Sequence, residues 1–201
     1  DSIVFSSQAN IYKVSADGDL KQVGALKSGE KLLGEDLVAK GWTLYYKGKK
    51  VADNLYDLQA ALMLADGKYV VLCGEKAQSK GHVWVVTAGC GALAVSPDYR
   101  FCVTAEEQSH HLISTVIDKT GNMLYSEPFY YLHDLSNTAK YPIQSMAFDT
   151  NGNLYVATEI GIQVADHNGR VRAILSLPAG KVDAVTLEDV EARHYRVRTL
   201  R

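Results

Sequence analysis

Three segments of this chain align without a gap: Leu58-Gln-Ala-Ala-Leu-Met-Leu-Ala-Asp-Gly67, Cys90-Gly-Ala-Leu-Ala-Val-Ser-Pro-Asp-Tyr99 and Ile143-Gln-Ser-Met-Ala-Phe-Asp-Thr-Asn-Gly152. In each, a small or amide residue (Gln59, Gly91, Gln144) stands seven positions before an Asp or Asn turn. A β-branched or aromatic run follows every time: Tyr69 to Leu72, Phe101 to Thr104, Leu154 to Ala157. A repeated strand, turn and strand narrows the choice of fold, because one such sheet cannot bury both of its faces and must stack on neighbouring copies.

The third copy opens the fullest unit. Ile143 to Phe148 is apolar-rich, Asn151-Gly152 is a type I′ hairpin signal, and Leu154 to Thr158 is a second strand. Ile162 to Ala165 is closed by Asn168-Gly169, and Arg170 to Leu175 alternates basic with apolar as far as Ala173, in the manner of an edge strand. The unit reads as a four-stranded antiparallel meander. Ser2 to Phe5, Asn10 to Ser15 and Leu20 to Ala25 give a meander one strand short. Lys27 to Lys31 is turn-like, and Leu32 to Ala39, Trp42 to Tyr46 and Lys50 to Ala52 are short strands punctuated by Gly41 and Gly48. Leu58 to Leu64 is helical on propensity alone, but its place in the repeat makes it a strand. Tyr69 to Cys73 and His82 to Val86 flank a polar loop, Leu112 to Ile117 and Met123 to Leu132 are outer strands, and Lys181 to Leu187 and His194 to Leu200 are the last two. The expectation is a single all-β domain over residues 1–201. It is a β-propeller of about five, alternatively six, antiparallel blades at roughly 40 residues each, closed by pairing of the N- and C-terminal strands.

A formal net charge of −2 gives no electrostatic reason to expect nucleic acid or an anionic membrane as partner. No apolar run approaches the roughly 20 residues that span a bilayer. The chain starts at Asp1 without an initiator Met or the regions of a signal peptide, so it is expected to be a processed or trimmed product, with an export signal among what processing would remove. Cys73, Cys90 and Cys102 are an odd number with no C-x-x-C pair, which points to buried free thiols rather than disulfides or a zinc site.

Several motifs dissolve on inspection. Gly89-Cys-Gly-Ala-Leu-Ala94 matches a dinucleotide fingerprint, but Ser96-Pro97-Asp98 precludes the helix it should open. Asp149-Thr-Asn-Gly-Asn153 resembles part of a calcium loop without the distal Glu, and reads as a hairpin turn. His110 and His111 are adjacent, so on a strand they point to opposite faces. The basic stretch Arg193 to Arg201 reads as an exposed edge; Ser28-Gly-Glu-Lys31 matches Ser-x-x-Lys by chance on a loop, and no Gly-x-Ser-x-Gly or His-Glu-x-x-His occurs.

Asn153 to Val171, with Ala94 to Asp98, Glu127 to His133 and Pro178 to Lys181, resembles the gluconolactonase and regucalcin-like (senescence marker protein) propellers over about the second half of the chain. The resemblance implies one divalent cation, held by a Glu, an Asn and an Asp at inner-strand ends. Such a Lewis acid polarises a sugar-lactone carbonyl and activates water. The Asn of that set falls on Gly91, the Asp on Gln144 and the Glu loosely on Glu35.

Two function classes follow. In the first, the propeller binds rather than catalyses and carries no cofactor, with Gln59, Gly91, Gln144, His110 and Asp183 as candidates around the channel mouth. Amides donate to and accept from hydroxyls without needing charge, so a small molecule or carbohydrate, such as a sugar acid, is the expected ligand; another domain or protein is a further partner class. In the second, the chain is a metal-dependent lactone or ester hydrolase. Its altered ligand set is Glu35, Gln144 and Asp183, with calcium or zinc as the ion.

Overall fold

A computed structural model describes residues 2–15, 17–106, 110–133, 143, 145–176, 184–191 and 194–200, and its regular elements are all β-strands. Among these residues no helix is long and apolar enough to cross a membrane. The chain divides into two units, Asp1–Thr87 and Ala88–Arg201.

The first unit holds three sheets. They are β1 (Ser2–Ser7), β2 (Asn10–Ser15) and β3 (Leu20–Ala25); β4 (Glu30–Gly34), β5 (Leu37–Lys40), β6 (Thr43–Tyr46) and β7 (Lys49–Ala52); and β8 (Ala60–Met63), β9 (Tyr69–Leu72) and β10 (Val83–Val86). The second holds β11 (Cys90–Val95), β12 (Phe101–Ala105), β13 (His111–Ile117) and β14 (Met123–Tyr131); then β15 (Met146–Phe148), β16 (Leu154–Thr158), β17 (Gly161–Ala165) and β18 (Val171–Leu175); and the hairpin β19 (Ala184–Glu191) with β20 (His194–Leu200). Within each unit the first strand of one sheet packs on the first strand of the next: β1 on β4 and β4 on β8, then β11 on β15 and β15 on β19. That is blade stacking, and the all-β chain is a β-propeller, as the repeat requires.

Among the described residues, five of the six sheets are antiparallel throughout. The other differs from the expected meander, because β10 runs parallel to β9 with Val83 opposite Tyr69. Two features explain the reversal. The link from Cys73 to His82 contains no two-residue hairpin signal, and Val83 to Val86 is an unbroken buried run, the pattern of a strand covered on both faces. A second difference lies in Leu32 to Ala39, which is two strands, because Asp36 adopts φ +60° and turns β4 into β5. β1–β3 and β19–β20 each form their own ladder, and the expected pairing of first and last strands is not among the described ladders.

The hairpin at Asn151-Gly152 is also not type I′. Gly152 N donates to Asp149 O at 3.1 Å and Asp149 N to Asn153 O at 2.9 Å; Gly152 alone is left-handed, at φ +82°. This is a type I turn followed by a left-handed residue. The Asp149 side chain imposes it, since Oδ1 accepts from Asn151 N and Asn153 N at 2.9 and 2.8 Å while Oδ2 takes the Asn153 amide at 2.8 Å. The calcium-like spelling is thus a turn whose carboxylate is spent on its own backbone. Asp118 repeats the pattern, and the Thr120 hydroxyl with the Asn122 donors holds its carboxyl well below the usual range.

Leu37, Leu44, Val71 and Val85 lie in the core of the first unit, and Val103, Leu112, Tyr130, Leu154 and Val156 in that of the second. Each such side chain contributes about 1.5–3 kcal/mol by leaving water. Tyr130 is the costly member: its ring is fully buried and its hydroxyl has no hydrogen-bond partner among the described residues. Burial, with the Asp166 charge nearby, pushes that hydroxyl's pKa up to about 12. Removing an unsatisfied buried polar atom recovers its desolvation cost, so Tyr130→Phe should stabilise the protein by about 1 kcal/mol in urea denaturation. A destabilised Tyr130→Phe would mean that the hydroxyl has a partner.

Candidate functional site

The inner-strand starts are the expected site, and each unit places its own residues there. Gln59 immediately precedes β8 and is half-buried. Its N–H donates to Leu72 O at 2.9 Å, its Nε2 to Asp57 Oδ2 at 3.0 Å, and its carbonyl accepts from Lys31 Nζ at 3.1 Å. The Lys31 contact aligns the start of β4 with the start of β8. Glu35 follows the last residue of β4 and therefore lies at the opposite end of that strand from Gln59. There its carboxylate is 60% exposed and faces Lys13 Nζ at 3.7 Å, a surface ion pair. On β4 itself the acidic residue at Gln59's end is Glu30, whose Oε2 accepts from Lys27 N at 2.8 Å.

In the second unit Gly91 lies at the start of β11, where the ladder to β12 shifts register between Cys90 and Leu93. Its φ is +69°, and a Cβ there would stand 2.7 Å from the carbonyl oxygen of Ile143, the residue three before β15. Gly91 is thus set by the close approach of two inner-strand starts. Gln144 and Asp183 lie outside the described residues.

His110 sits on a bend just before β13, the third strand of its sheet, so it belongs to the outer part of the blade and not to inner strand β11. The opposite-face rule does not govern the pair, because only His111 is in the strand. Both rings approach Tyr131, at 6.3 Å for His110 and 4.9 Å edge-on for His111, and His111 Nδ1 is 3.9 Å from Glu106 Oε2. No three His, Cys, Asp or Glu side chains gather in a metal-binding arrangement among the described residues. Cys73 and Cys102 are buried as expected, with thiols pushed up to about 12 by burial, so neither is a nucleophile at neutral pH. Cys90 is only half-buried.

One buried polar residue was not expected. Gln163, on β17, is 1% exposed and clamps the backbone of His133: Oε1 accepts from His133 N at 2.8 Å and Nε2 donates to His133 O at 2.7 Å. Its only sequence signal is an amide inside the apolar run Ile162-Gln-Val-Ala165, which alternation by itself assigns to the solvent face.

The first unit also contains an open groove of about 800 Å³ between the segment from Lys50 to Tyr56 and the loop from Lys76 to Val83. The link between β7 and β8 forms one wall and the crossover from β9 to β10 the other.

No family model matches the chain, and no curated protein matches it significantly. Among solved structures it is similar to one assigned as a gluconolactonase, at 12% identity over 100% of this chain and 86% of that one, with a TM-score of 0.64. It is also similar to regucalcin from Agrobacterium tumefaciens, described as a calcium-binding protein, at 14% identity, covering 89% of this chain and 70% of that one, with a TM-score of 0.56. A gluconolactonase from Xanthomonas campestris shares 17% identity over 92% of this chain, which spans 61% of its length; at a TM-score of 0.48 it adds nothing to the assignment. With stacked antiparallel sheets and these likenesses together, the chain has the β-propeller fold shared by gluconolactonase- and regucalcin-like proteins.

Proposed function

We propose that this propeller acts by binding a small hydroxylated ligand, a carbohydrate or sugar acid, at its inner-strand ends, and not by metal-assisted hydrolysis of a lactone. The observation that carries this reading is Gly91. The position that the sequence resemblance gives to a ligating Asn has no side chain, and the space for a Cβ is taken by the Ile143 carbonyl oxygen at 2.7 Å. Glu35, the other described member of the implied ligand set, is paired with Lys13 at the far end of β4. Among the described residues the donors do not fit a divalent cation. Gln59, by contrast, brings an amide to the start of β8, where hydrogen bonding to hydroxyls needs no charge.

The test combines metal analysis, thermal shift with calcium and zinc, a sugar-lactone assay and a panel of neutral sugars and sugar acids. A ligand of the native state raises the melting temperature, by the equivalent of about 2.7 kcal/mol at a hundredfold excess over Kd. The expected result is a shift from a sugar or sugar acid that Gln59→Ala reduces, with no shift from either cation and no lactone hydrolysis. A stoichiometric ion together with lactone turnover lost in Glu35→Gln would overturn the proposal in favour of the hydrolase.

A further inference from the structure

The groove of the first unit is lined by charged and aromatic side chains. Its walls bring Lys50, Lys76 and Lys80 together with a single carboxylate, Asp53. Asp53 is already committed, with Oδ2 to Lys50 Nζ at 2.9 Å and Oδ1 to the Asn54 amide at 3.3 Å. The hydrogen bond and charge of Lys50, with a smaller part from Lys80, hold its carboxyl below the usual range. The ammonium groups of Lys76 and Lys80 have no ion-pair partner among the described residues. The groove therefore holds a surplus of positive charge on a chain whose net charge is −2.

Its other components suit a ring with hydroxyls. Tyr56 lines the groove, and Trp42, 57% exposed, packs against Tyr56 with ring centroids 4.6 Å apart. Gln78 and Ser79 add polar groups on the opposite wall. The walls are also tied in place. Gly74 N donates to Tyr56 O at 2.8 Å across them, Leu55 N to Trp42 O at 2.9 Å, and Val85 N to Ser79 Oγ at 2.9 Å; Lys80 and Val83 exchange backbone bonds at 2.9 and 3.1 Å. Asn54 is held in a left-handed conformation at φ +58°. Such preorganisation lowers the ordering cost of binding.

We propose that this groove is a second ligand site, for an anionic group carried on a hydroxylated ring, as in a sugar acid or a sugar phosphate. The anion sits between the Lys76 and Lys80 ammonium groups, and the ring lies toward Tyr56. The site shares no residue with the inner-strand ends and stands independently of the reading proposed for them.

The test is calorimetric titration of the whole chain with glucuronate, glucose 6-phosphate, glucose and inorganic phosphate, in wild type and in Lys76→Gln, Lys80→Gln and Gln59→Ala. At least one of the two anionic sugars should bind, and the tighter names the anion. Glucose and inorganic phosphate should each be about tenfold weaker or more, the value of one charge-assisted hydrogen bond or of the ring contacts. Each lysine variant should weaken binding about tenfold with an unchanged melting temperature. The binding that the lysine variants weaken should persist in Gln59→Ala, whereas binding lost in Gln59→Ala but kept in both lysine variants belongs to the inner-strand ends. No binding by either anionic sugar, lysine-dependent binding shared equally by glucose or by inorganic phosphate, or binding indifferent to both lysine variants would overturn the proposal.

Discussion

Gln163→Leu should destabilise the protein by about 2–4 kcal/mol, the sum of two lost hydrogen bonds and a part-buried backbone left without its partners. The volume hardly changes, so cavity formation contributes little and the loss reports the clamp on His133. That clamp joins residues 30 apart in sequence, tying the end of β14 in one blade to β17 in the next. Chemical denaturation at constant m-value is the measurement. Gln163→Glu keeps the acceptor for His133 N but puts a second oxygen against His133 O and beside Thr158 Oγ1, which now lies 3.4 Å from Nε2. A carboxyl forced into that site has a folded pKa above its unfolded value of about 4.3, so its protonated form is tolerated at low pH and stability falls as pH rises through the folded pKa. The Glu variant should therefore be least stable relative to wild type at neutral pH and above. A loss under about 0.5 kcal/mol in Gln163→Leu would show that water replaces the clamp.

Gly89→Ala should be at least as damaging, at about 3–5 kcal/mol, or prevent folding. Two costs add. The φ of +85° places the residue in the left-handed region, which costs an L side chain about 1–2 kcal/mol. A Cβ there would also stand 2.1 Å from Thr104 Oγ1 and 2.6 Å from the carbonyl oxygen of Ala105. Thr104 cannot rotate away freely, because it is fully buried and its hydroxyl donates to Ala88 O at 2.7 Å. Thr104→Ala in the Gly89→Ala background should recover only part of the loss, since the backbone oxygen of Ala105 remains. Soluble yield and urea denaturation of the single and double variants check this. Full rescue would assign the whole cost to the threonine side chain.

The features legible in the chain are those that neighbours in sequence create. The three aligned segments become the first strands β8, β11 and β15 of successive sheets, because an apolar run ended by a turn residue is sufficient to make a strand and its hairpin. Within Leu58 to Leu64, helical on propensity, Ala60–Met63 is strand for the same reason that the repeat is a repeat: its face must meet a neighbouring blade, here at β4. Turn type was read less well. Asn151-Gly152 spells one hairpin, but a carboxylate at Asp149 satisfies the backbone donors of another. The division at Asp36 is hard to see in the chain because the left-handed position of the turn is taken by an Asp and not by the nearby Gly34.

The site was less legible than the fold. Gly91 was found by alignment, yet its meaning depends on the Ile143 oxygen more than 50 positions away in the chain, which no local pattern encodes. Glu35 and Gln59 look equivalent as polar residues near inner strands, but the Lys31 contact to Gln59 O puts them at opposite ends of the first unit's strands. The groove, the His133 clamp and the parallel β10 likewise join residues far apart in the chain. Periodicity and turn chemistry act over a few residues and so decide strands, hairpins and the propeller class. Backbone oxygens, ammonium groups and buried amides act over a few ångströms of space, and only packing brings those groups together.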